Sequence, residues 1–104
     1  MSVHVIRLRG HWNRDELPDG RVRHSRHFGR PRTLDANETV WLVCSRSPGD
    51  GSLQLNDQLV GIVSGGEPFA FDVTALLAPR NAVGIEVTAA VDWDGEVRLE
   101  IRSS

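Results

Sequence analysis

A chain of 104 residues, 39% hydrophobic and 25% charged, can build one hydrophobic core but not two, and it is too apolar to remain disordered. No stretch approaches the ~20 apolar residues of a membrane helix, and the opening Met-Ser-Val-His-Val-Ile-Arg is broken by charge where a signal peptide would be uniformly apolar, so no membrane partner is expected. The lone Cys44 excludes an internal disulfide, and together these features predict a soluble cytoplasmic protein of one domain, residues 1–104.

Apolar residues recur with period two, and no window keeps the i, i+3, i+4, i+7 spacing of a helix. Ile6 and Leu8 share one face of a first strand near Val3 to Arg9, and Val22 to Phe28 forms a weaker, polar strand. Trp12 falls in a loop beside His11 and Asn13, and Asp15 and Glu16 are adjacent loop residues. Val40, Leu42 and Cys44 alternate with Trp41 and Val43, which predicts a strand covered on both faces with Trp41 in the core. After the loop 46–51, Leu53 and Leu55 lead to Asn56-Asp57. These two residue types best tolerate the left-handed conformation a tight hairpin needs, and Leu59 to Val63 returns. Phe69, Phe71 and Val73 share a face, and Thr74 is expected to cap one short helical turn with Leu76 and Leu77 before Pro79 stops it. Val83, Ile85 and Val87, extended toward Ala89 and Val91, form the next strand. The turn Asp92-Trp93-Asp94-Gly95 leads to Val97, Leu99 and Ile101. The prediction is an all-β fold: one antiparallel β-sandwich of about eight strands with a single short helical turn.

Three segments carry a family resemblance: Gly51-Ser-Leu-Gln-Leu-Asn-Asp-Gln-Leu-Val-Gly61, Gly65-Gly-Glu-Pro-Phe-Ala-Phe-Asp-Val-Thr-Ala-Leu-Leu77, and Asn81-Ala-Val-Gly-Ile-Glu-Val87. Their order and spacing resemble the sugar-binding-type, galactose-binding-like jelly-roll domain of family 2 glycoside hydrolases, the β-galactosidases, β-glucuronidases and β-mannosidases. Fainter similarity lies at Gly10-His11-Trp12 and Ser25-Arg26-His27-Phe28. The resemblance implies a jelly-roll fold and an accessory role beside a catalytic barrel whose two carboxylates this chain lacks. The quoted residues are turn glycines, core phenylalanines and helix-turn polar groups, so they speak to fold before function.

No pair of acids suggests a sugar cleft, no serine sits in a nucleophile elbow, and Cys44 alternates into a strand where a thiol is inert, so no catalytic residue is expected. His24 and His27 lie three apart on a strand, on opposite faces, which argues against a shared metal, and neither metal nor cofactor is expected. Trp93 at a hairpin tip, flanked by Asp92 and Asp94, offers an apolar ring for a pyranose and carboxylates for its hydroxyls; the alternative is that it folds back as a plug over the open end of the sandwich. Trp12, with His11 and Asn13, is open to the same two readings. The first expectation is therefore a non-catalytic carbohydrate-recognition module using Trp93, Asp92, Asp94, Trp12, His11 and Asn13. The second is a structural domain without sugar binding that self-associates or docks an acidic partner.

That second expectation draws on charge. Arg7, Arg9, Arg14, Arg21, Arg23, Arg26, Arg30 and Arg32 precede residue 33, against only Asp15, Glu16 and Asp19, within a net charge of -2. Such a segment either meets an anion or pairs with acids from later strands. Nucleic acid is the weaker anionic partner, because the chain as a whole is not basic.

Overall fold

A computed structural model of the chain describes residues 2–10, 12–88, 93 and 96–103. Nine strands form among these residues: β1 Val3–Leu8, β2 Asn13–Glu16, β3 Val22–Gly29, β4 Glu38–Cys44, β5 Asp50–Leu55, β6 Gln58–Val63, β7 Phe69–Asp72, β8 Arg80–Thr88 and β9 Val97–Ser103. One short helical turn, Thr74–Leu76, interrupts them. Two antiparallel sheets result, β1-β9-β4-β7 and β2-β3-β8-β5-β6, so the expected all-β sandwich is present.

Alternation explains how the sheets meet. Val40, Leu42 and Cys44 of β4 and Val97, Leu99 and Ile101 of β9 are buried from one sheet; Leu53, Leu55, Val83, Ile85 and Val87 are buried from the other. Removing each such side chain from water contributes about 2 kcal/mol, and two apolar faces can be buried only against each other. Phe69, Phe71 and Val73 join this core as their shared face predicts. The ring of Phe71 lies where a Cβ on Gly61 would stand, so the glycine lets β6 approach the opposite sheet.

The hairpin between β5 and β6 has Asn56 at φ 53° and Asp57 at φ 66°, the left-handed pair that the sequence predicts. Asn56 also works through its side chain. Its Nδ2 donates to Leu76 O at 3.1 Å and Asn81 Oδ1 at 3.0 Å, while its Oδ1 accepts from Ala82 N at 2.8 Å. Asn81, 1% exposed, accepts from Ala78 N at 2.8 Å and donates to Ala78 O at 2.9 Å. The start of β8, the hairpin and the helical turn are thereby fastened by two asparagines.

Three expectations need correction. Strand β2 occupies residues placed in a loop: Asn13–Glu16 pairs with Val22–Ser25, but all four residues are exposed at a sheet edge, so no apolar alternation announces them. Trp41 is not in the core. It alternates with the buried Val40 and Leu42 and so faces outward, half-buried, with the Arg102 guanidinium 4.3 Å from its ring centre. The cation covers the ring in place of a packed apolar layer there, while Val43, two residues on along the same face, is buried. Finally, Thr74 does not cap the helical turn, whose cap position is Val73. Its hydroxyl donates to Asp72 Oδ1 at 2.6 Å and accepts from Val40 N at 2.8 Å, tying the turn to β4.

Candidate functional site: the indole end

Strand β8 runs from Arg80, beside the asparagine pair, to Thr88, which pairs with Asp50. Toward the Thr88 end two tryptophans gather against the core. Trp12 follows directly on the turn after β1, so its indole can reach back: its Nε1–H donates to Leu8 O at 3.0 Å. Trp93, between β8 and β9, donates its Nε1–H to Arg46 O at 3.0 Å. The two rings meet edge to face with centroids 5.1 Å apart, the geometry in which the positive edge of one ring meets the negative face of the other, and both are half-buried against the core. With each N–H tied to a backbone carbonyl, neither ring is free to rotate.

The sequence groups Trp12 and Trp93 only by residue type; folding brings them into contact. Asn13 begins β2 beside Trp12 and is exposed, opposite Ser25. Asp92, Asp94 and His11 lie outside the described residues.

A third ring was not anticipated. His24 lies 4.8 Å from Trp93, ring centre to ring centre, is 6% exposed, and its Nε2 has no hydrogen-bond partner. Period two could have found it, because His24 shares the inward face of β3 with Val22 and Phe28 while His27 faces out. The two histidines therefore do point to opposite faces. Burial, and secondarily the Arg14 guanidinium, pushes the His24 pKa down. The neutral ring is thus the native form. Full stability is present above the ordinary histidine pKa of about 6.5 and is lost as pH falls from there through the lower folded value, because the unfolded chain takes up the proton first.

The arginines of the first third divide. Arg14 pairs with Glu16, Arg21 with Asp19 and Glu86, Arg23 with Glu86, and Arg32 with Glu38. Pairing with acids from later strands thus accounts for Arg21, Arg23 and Arg32. Among the described residues no ion pair engages Arg7, Arg9, Arg26 or Arg30, and no group of three or more potential metal ligands forms. Cys44 is fully buried, with its Sγ 3.1 Å from Arg46 O.

Neither a family model nor a curated protein matches the sequence. Solved structures do match the fold. An FMN-binding β-glucuronidase from Faecalibacterium prausnitzii L2-6 aligns with a TM-score of 0.80 at 18% identity, over 97% of this chain and 23% of the enzyme. A β-glucuronidase from Bifidobacterium dentium, complexed with coumarin-3-O-glucuronide, aligns at 0.78 and 17%, over 99% of this chain and 30% of its own. A putative β-galactosidase from Bacteroides fragilis gives 0.78 and 14%, over 99% of this chain and 24% of its own. This chain has the fold of one part of a family 2 glycoside hydrolase. The resemblance in the Leu53 to Leu77 region therefore identified the architecture correctly. The chain spans only about a quarter to a third of the neighbours' length.

Proposed function

We propose that this chain is a non-catalytic jelly-roll accessory module that contacts a glycan through its indole end. Trp12 and Trp93 supply the apolar ring surface, and Asn13, with Asp92, Asp94 and His11 adjacent in sequence, supplies polar partners for hydroxyls. The observation that carries this reading is the pair of indoles fixed edge to face and half-buried at one end of the sandwich. Ring surface held in place before binding adds little ordering cost to association, which suits weak, shape-dependent ligands such as sugars. Structural neighbours named as β-glucuronidases and a β-galactosidase support the same class of ligand.

Tryptophan fluorescence tests the proposal in a Trp41→Phe background, which leaves only the two end indoles to report. Titration with a panel of neutral and acidic mono- and oligosaccharides is expected to shift the emission at millimolar concentration for at least one sugar. A flat response across the panel would refute it.

A further inference from the structure

At the opposite end of the sandwich β3 outlasts its neighbour. Strand β2 pairs only with Val22–Ser25, whereas β8 pairs with β3 as far as Gly29. Arg26–Gly29 is therefore hydrogen-bonded as a strand on one side, and among the described residues no strand pairs with its other side. Such a half-satisfied stretch is a template for an added strand. Beside it lies a concavity of about 440 Å³ lined by His27, Phe28, Gly29, Pro79 and Arg80. Gly29 creates the room: its missing side chain stands opposite Arg80, and a Cβ there would meet nothing nearer than Pro79 O at 3.9 Å.

Basic side chains flank this stretch. His27 and Arg80 are exposed on the outward face, and Arg30 follows directly, its guanidinium donating to Leu77 O. Among the described residues none of the three forms an ion pair, unlike Arg21, Arg23 and Arg32. Arg26 Nη1, on the inward face, is buried without any partner. Arg80 and Arg30, free of ion pairs beside an open strand, favour a partner rich in carboxylates, since arginine binds carboxylate through paired, charge-assisted hydrogen bonds.

We propose that Arg26–Gly29 is a docking strand for an extended acidic peptide segment of a partner protein. The segment adds antiparallel or parallel to β3, and alternation sorts its side chains. Every second residue, acidic, falls on the outward face that His27 shares with Arg80, the pairing partner of Gly29; the residues between, apolar, fall on the inward face beside Phe28. This site runs away from the indole end: Asn13 pairs with Ser25, so Arg26 adjoins Trp12, whereas Phe28 stands four residues from His24 along an extended strand, roughly 13 Å.

The test uses fluorescein-labelled hexapeptides of sequence Glu-Val-Glu-Val-Glu-Val, with Gln in place of Glu and Lys in place of Glu as controls, read by anisotropy against the whole chain. The Glu peptide is expected to bind at least tenfold more tightly than the Gln peptide at 50 mM salt, and to weaken as salt is raised. The double variant His27→Glu with Arg80→Glu, both exposed, is expected to lose at least tenfold. Gly29→Leu, whose Cβ would meet nothing nearer than Pro79 O at 3.9 Å and whose side chain projects into the concavity, is expected to lose at least fivefold. Amide shifts on the wild-type chain are expected to cluster at residues 26–30 and 80–82, which keeps the proposal testable if a variant fails to fold. Equal binding of the Glu and Gln peptides, or shifts confined to Arg98 and Arg102 on the other sheet, would overturn it.

Discussion

The two ends of this sandwich are closed by different chemistry. At the Arg80 end Asn56 and Asn81 join a hairpin, a helical turn and two strands, and each side-chain amide finds specific backbone or amide partners. At the Thr88 end three rings, Trp12, Trp93 and His24, pack face and edge, and the His24 Nε2 is left without a partner. Amide networks are directional, and a buried member that loses its partner leaves others unsatisfied. Ring clusters tolerate displacement more readily. The first end is therefore built for rigidity, and the second keeps apolar surface near solvent, where a ligand can use it.

Four measurements break or sharpen this contrast. The largest effect is expected at the amide end. Asn81→Leu orphans the amide and carbonyl of Ala78 and one N–H of the Asn56 side chain, so urea denaturation should show a loss of about 3 kcal/mol and Tm should fall by roughly 15 °C. A loss below about 1 kcal/mol would mean that the network does not hold this end together. Next, Trp93→Ala should remove about 2 kcal/mol, because half-buried ring surface and one aromatic contact are lost. A double-mutant cycle with Trp12→Ala should reveal coupling of about 0.5–1.5 kcal/mol, and strict additivity would show that the rings do not support one another.

A smaller effect concerns pH. His24→Phe keeps a ring beside Trp93 and removes the proton site. Wild type should lose stability as pH falls from about 6.5 to 5, by at most about 2 kcal/mol, and the variant should lose less over that interval. Parallel losses in both would move the acid sensitivity elsewhere. The smallest effect lies at Glu38, where the Arg32 guanidinium and the Asp35 amide pull the carboxyl down to about 2. Its contribution is present above about pH 4.5 and is lost as pH falls through about 2. Glu38→Gln should therefore flatten acid unfolding only below pH 4.5, a window that opens lower than that of His24, whose loss begins at about 6.5.

The period-two pattern made most of the strands legible, because half-buried sheets must alternate, and Asn56-Asp57 announced its hairpin through backbone tolerance alone. Strand β2 was illegible, since an exposed edge strand of Asn, Arg, Asp and Glu has no face to bury. Trp41 misled because an apolar residue can be covered by a cation as well as by a core. At the indole end, the sequence named Trp12 and Trp93 separately. Their contact, and the burial of His24 beneath Trp93, depend on loops meeting across two sheets. Likewise the side-chain bond between Asn56 and Asn81 joins residues 25 apart, which no local pattern encodes.

The most direct test of the glycan reading follows the three indole N–H resonances of the whole chain during sugar titration. Trp41 serves as the internal control, since it lies on the outer face of the four-stranded sheet, away from the proposed site. Binding at the indole end predicts that the Trp12 and Trp93 resonances move in a saturable way with at least one glycan while Trp41 stays fixed. Three unmoved indoles at millimolar sugar, or movement of Trp41 alone, would contradict it.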